Sequence, residues 1–134
     1  TQDIPNFYEF KKIIKPPEWG PEYDKLIKSA KIALNFFLND IDEITSGVNK
    51  RVFEILSNET LMISKNFEGL NKMFSESEEF ISFDDKEDLF DKVSYYLINE
   101  EQRNLISING KKATKKYSYD SYVKKLLNYL NLKS

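Results

Sequence analysis

Apolar residues in this chain gather into short continuous runs, separated by stretches with a helical repeat. Ile32–Leu38 (IALNFFL), Leu61–Ile63 and Phe80–Phe83 (FISF) are the runs. Each predicts a strand covered on both faces, over 32–38, 60–65 and 80–83. Between the runs, apolar positions recur at i, i+3, i+4 and i+7. Tyr23, Leu26, Ile27 and Ala30 predict a helix over 22–31, with Pro21 suited to its first turn. Val52, Phe53, Ile55 and Leu56 form the buried side of a helix over 50–57, which Asn58 stops. A short helix is expected over 68–74. Leu89, Phe90, Val93, Tyr96 and Leu97 make a stripe over 86–98, with Asp84 or Asp85 as its cap. Asn99 caps a helix over about 100–116, with Leu105, Ile106 and Ile108 turned inward and Gly110 inside it or ending it. Ser118 caps a last helix, 119–131, striped by Val123, Leu126, Leu127 and Leu130.

Residues 1–21 break the pattern. Pro5, Pro16, Pro17 and Pro21 fall here with Trp19 and Gly20, which argues for an irregular segment. Within it Tyr8–Ile14 (YEFKKII) has the pattern of a short strand. Strands and helices then alternate, which predicts an α/β fold: a Rossmann-like, three-layer domain over 22–134. It would have about four parallel strands, helices on both faces and a helical C-terminus.

Composition narrows the function. The chain has 134 residues, the size of one domain. Net charge is −2, against the basic excess of a general nucleic-acid binder. There is no cysteine and no histidine, which excludes a disulfide framework, thiolate metal sites and a histidine base within this chain. No apolar stretch approaches the length of a membrane span and no signal peptide is evident, so a cytoplasmic location is expected. The basic cluster Lys111–Lys116 reads as a solvated helix end, and Glu76, Glu78 and Glu79 lack calcium-loop spacing.

In an open α/β sheet, ligands bind where loops leave the carboxyl ends of strands and helices begin. The polar loop 39–49 and the helix after it occupy such a place. On that helix Arg51 and Glu54 are three apart and project from one side. That spacing fits a surface ion pair as well as a ligand site. A carboxylate accepts from both hydroxyls of a ribose, and a guanidinium pairs bidentately with phosphate. Asn66, Glu68 and Gly69 follow the next strand and are read either as ligand contacts or as a turn with a helix cap. Asn35, inside an apolar run, is either a core polar group or a contact. Trp19 is read as a lid over the core or a stacking surface for a base.

Four segments carry a family resemblance, in order: Tyr23–Phe36 (YDKLIKSAKIALNF), Arg51–Leu56 (RVFEIL), Thr60–Phe74 (TLMISKNFEGLNKMF), and Phe80–Gly110 with its EEQR and NG. Residues 22–130 thereby resemble the C-terminal, nucleotide-sugar-binding half of GT-B glycosyltransferases, family-1-like, in the bacterial spore-maturation-type branch. The resemblance implies a domain that binds a nucleoside-diphosphate sugar without a cofactor or metal, and the charge balance argues against nucleic acid as a partner. It implies that Glu54 meets the ribose, that Arg51 meets the diphosphate, and that Thr45, Ser46 and Gly47 offer backbone N–H groups to phosphate. Many relatives place a second acid eight residues before the first. Here that position is Ser46, so sugar recognition is not carried over to it; Asp42 and Glu43 stand nearby. The acceptor-binding N-terminal half of such enzymes, which supplies the base in inverting members, has no counterpart in this sequence. The chain is therefore expected to be a fragment of a larger two-domain enzyme, not competent alone, and no catalytic residue is assigned. The alternative is a non-catalytic α/β module that uses a surface for protein partners.

Overall fold

A computed structural model describes residues 20–36 and 48–133. The expected strand 8–14, Trp19 and the loop residues Asp42, Glu43, Thr45, Ser46 and Gly47 lie outside the described residues. The elements run α1 (Pro21–Ser29), β1 (Ile32–Asn35), α2 (Lys50–Ser57), β2 (Leu61–Lys65), α3 (Glu68–Met73), β3 (Ile81–Phe83), α4 (Lys86–Ile98), α5 (Glu100–Thr114), a 3-10 turn (Lys115–Tyr117) and α6 (Tyr119–Lys133). The strands form one parallel sheet in the order β1-β2-β3. The α/β class and the helices on both faces are as expected from the sequence. Three strands stand among the described residues.

Register explains how one sheet makes two cores. Leu34, Ile63 and Ile81 lie in one row across the three strands, and Asn35, Ser64 and Ser82 in the next. Alternation sends neighbouring rows to opposite faces. On the first face Met62 packs with Ile27 of α1, Val52, Ile55 and Leu56 of α2, Leu70 of α3, and Ala113 of α5. On the second, Leu61, Ile63, Ile81 and Phe83 pack with Leu89 and Val93 of α4 and Ile106 of α5. The run Leu61–Ile63 is buried on both sides, as a continuous apolar strand must be.

Caps fix the helix ends. The Asn49 side chain accepts from Val52 N at 3.2 Å to start α2. Asn58 ends it, its Nδ2 donating to the Glu54 carbonyl at 2.7 Å. Asp85 starts α4 by accepting from Asp88 N at 2.8 Å. The end of α4 is held from α5. Buried Arg103 donates through one guanidinium nitrogen to the Tyr96 carbonyl at 2.7 Å and the Leu97 carbonyl at 3.1 Å. A cation there also meets the negative end of the helix dipole.

The inward face of α5 differs from the expectation. Arg103, Ile106, Ser107, Gly110 and Ala113 are buried, while Leu105 and Ile108 are exposed. Close approach is the reason. A Cβ at Gly110 would sit 2.6 Å from the Glu79 carbonyl oxygen and 3.0 Å from Leu56 Cδ2. Small residues, not large ones, let α5 lie this near α2. The α4 stripe is also only half used: Leu89, Val93 and Tyr96 face the core, whereas Phe90, Leu97 and Tyr95 are exposed. Val123, Leu126, Leu127 and Leu130 of α6 are likewise exposed. Expected boundaries shift slightly, α1 ending at Ser29 and α5 at Thr114.

Gly110→Ala is expected to destabilise the domain by about 1–3 kcal/mol, because the rigid Glu79 carbonyl cannot yield. Urea denaturation followed by circular dichroism measures it; an unchanged midpoint contradicts the close packing of α5.

Candidate functional site

Helices α1 and α2 both run back from the carboxyl edge of the sheet towards its amino edge. Thr60, at the start of β2, donates to the Ile27 carbonyl at 2.7 Å and so ties the end of α1 to the amino edge. The first turns of both helices therefore lie at the carboxyl edge. There the structure joins Arg51 and Glu54 of α2 with Tyr23 of α1. Burial pushes the Tyr23 hydroxyl above its ordinary value; Glu54 adds to the shift through its charge and hydrogen bond, and Arg51 opposes it. The phenol thus lies close to both the carboxylate and the guanidinium. Lys50 Nζ lies 3.5 Å from Glu54 Oε1, an exposed lysine beside a largely covered acid. The apolar pattern marks Tyr23 only as a core position. Its hydroxyl, one turn into a helix that starts at the carboxyl edge, is the signal that sets it beside the acid.

The charge of α2 runs against its dipole. Its first turn carries no acid but holds Lys50 and Arg51. The first turns of α1, α3, α4, α5 and α6 all carry acids. Cations beside the unpaired N–H groups of a helix start are unfavourable in isolation and suit an anion lying among them.

Beneath this helix start runs the polar row of the sheet. Asn35 Nδ2 donates to Ser64 Oγ at 3.0 Å, and Ser64 Oγ donates to the Lys65 carbonyl at 3.0 Å. Asn35 is fully buried, and its Oδ1 has no hydrogen-bond partner. Asn35 is thus a core polar group satisfied on one side only.

The remaining expected site residues separate. Asn66 joins the carboxyl ends of β2 and β3: its N–H donates to the Phe83 carbonyl at 3.1 Å and its Oδ1 accepts from Asn71 at 2.7 Å. Glu68 points to solvent and pairs with Lys72 at 3.1 Å, both side chains well exposed. Gly69 lies within α3. Glu68 and Gly69 therefore belong to the first turn of a short helix rather than to the Arg51–Glu54–Tyr23 group. Among the described residues no group of three or more carboxylates is placed to hold a metal ion.

Residues 6–128 match the model of the glycosyl transferase-like family, nearly the whole chain, and the chain belongs to that family. No curated protein matches the sequence. The fold and the family together define a Rossmann-like glycosyltransferase domain. Among the described residues no helix is long and apolar enough to cross a membrane.

Two outcomes follow. Asn35→Leu is expected to keep stability within about 1 kcal/mol of wild type, because it removes a buried acceptor that has no donor. A loss above about 3 kcal/mol in thermal unfolding shows instead that Oδ1 is satisfied. The Tyr23 phenol is expected to titrate above the ordinary tyrosine value, and Glu54→Gln to bring it down while burial still holds it high. Its favourable contribution to stability is present below the unfolded value and fades as pH rises through the folded one. Ring-carbon NMR of labelled tyrosine reads this directly; an unchanged Tyr23 titration in Glu54→Gln contradicts the contact.

Proposed function

We propose that this glycosyltransferase domain is the donor-binding, C-terminal half of a two-domain enzyme of the GT-B type, holding a nucleoside-diphosphate sugar at the start of α2. The observation that carries the reading is the first turn of α2, where Lys50 and Arg51 stand at a helix N-terminus above the carboxyl edge of the sheet. A diphosphate supplies the anion that this turn lacks. Arg51 pairs with its oxygens, and Glu54, close to Tyr23 and paired with Lys50, accepts from the ribose hydroxyls.

In group transfer the bond from the sugar's anomeric carbon to the diphosphate breaks and negative charge grows on the leaving oxygen. Donors already aimed at that oxygen lower the barrier. The reading needs no bound metal, since the helix start and the two cations supply the positive potential. The acceptor and the base come from the other half of the enzyme.

Calorimetric titration with UDP, GDP and dTDP tests the reading. Saturable binding of one nucleotide is expected, weakened by about 1–3 kcal/mol in Glu54→Ala as a charged hydrogen-bond partner is lost. Binding unaffected by Glu54→Ala and Arg51→Ala together overturns the assignment. No binding, by this chain or by a longer protein that includes it, favours the non-catalytic interaction module.

A further inference from the structure

The positive charge of this acidic chain is gathered at one end. Residues 111–134 hold seven lysines and one aspartate, in a chain whose net charge is −2. The remainder is therefore strongly acidic. The last turn of α5 and the 3-10 turn after it carry Lys111, Lys112, Lys115 and Lys116, all exposed. Among the described residues no ion pair uses these four or Lys124.

The turn that presents the lysines is fixed. The Tyr117 ring packs edge-on against Phe53 and Phe74, at centroid distances of 6.1 and 5.5 Å. Its hydroxyl donates to the Met73 carbonyl at 2.9 Å. Ser118 then starts α6, its Oγ accepting from Ser121 N at 3.2 Å.

Helix α6 leaves the fold at that point. Its chief contact is the 3-10 turn before it. Every side chain from Val123 to Leu130 is exposed. The helix is nonetheless amphipathic. Tyr119, Val123, Leu126, Leu127 and Leu130 fall within about 100° of arc, and Lys124 and Lys125 fall outside it. Exposure along this stripe runs from 41% at Val123 to 87% at Tyr119. A 15-residue helix is marginal in water unless its apolar face is covered.

Charge says what covers it. An apolar stripe with lysines behind it, beside a fixed turn bearing four more, matches a flat surface that is anionic above and hydrocarbon beneath. A groove on another protein would account for the stripe but not for the lysines of the turn. Tyr119 suits the boundary, its ring apolar and its hydroxyl wet. The acidic remainder of the domain is repelled by the same surface, which orients the molecule and makes attachment sensitive to salt.

We propose that α6, with the lysines of the turn before it, is an interfacial helix that lies on an anionic lipid bilayer. This inference is independent of the donor reading. The 134-residue chain is sedimented with vesicles of phosphatidylcholine alone and of an equal mixture of phosphatidylcholine and phosphatidylglycerol. Partition onto the anionic vesicles is expected to be at least about tenfold stronger, to weaken as salt rises, and to slow amide exchange in α6. Leu126→Gln with Leu127→Gln, and separately Lys115→Glu with Lys116→Glu, are each expected to weaken partition at least about fivefold. All four side chains are exposed, so the unfolding midpoint of the lipid-free protein stays where it is. Failure to bind anionic vesicles overturns the proposal. So does equal binding to phosphatidylcholine alone, or binding that either pair of substitutions leaves unchanged. Protection of α6 without lipid, by a second copy or by the rest of a longer protein that includes this chain, overturns it in favour of a protein partner.

Discussion

Everything in this domain depends on covering β2 from both sides. Leu61, Met62 and Ile63 lose essentially all contact with water, and consecutive residues of a strand face opposite ways. No single layer satisfies them. Helices α1, α2 and α3 cover Met62, and α4 with α5 covers Leu61 and Ile63. Once the helices on the first face are committed to right-handed crossovers, their first turns return to the carboxyl edge of the sheet. The place where Tyr23, Arg51 and Glu54 meet is a consequence of burying three apolar residues in a row.

The same constraint explains what was legible in the sequence. Continuous apolar runs are conspicuous, so all three described strands fall within them, although β1 ends at Asn35, inside the expected run 32–38, and the helix over 50–57 falls where the pattern puts it. The inward face of α5 was not legible, because it is made of Arg103, Ser107, Gly110 and Ala113. A polar or small residue is placed inward by a neighbour's carbonyls or by closeness of backbone, and neither leaves an apolar signature. Phe90 and Leu97 fail in the other direction. They are apolar at core spacing, yet the structure described beside them leaves that flank of α4 open.

The site was half legible. Arg51 and Glu54 follow from their spacing at a helix start after a strand, and the structure sets them together. Tyr23 was hidden inside a regular apolar stripe, and only tertiary packing reveals that its half-buried ring lies against the core while its hydroxyl comes close to the acid. Glu68 and Gly69 follow a strand just as Arg51 does at one remove, but α3 is too short and too exposed to build anything around them. The charge order of α2, with bases where the other α-helices carry acids, is visible in sequence only once the helix start is known to lie at the carboxyl edge.

The central claim is that the first turn of α2 is an anion-binding turn for a nucleoside diphosphate. Amide chemical shifts during titration with UDP at fixed ionic strength, against inorganic diphosphate, test it most directly. The account predicts that shifts concentrate at Lys50, Arg51 and Val52 and at the ring of Tyr23, with the same helix start responding to both ligands. Shifts confined to the exposed lysines of 111–116, with the amides of α2 unmoved, would contradict it.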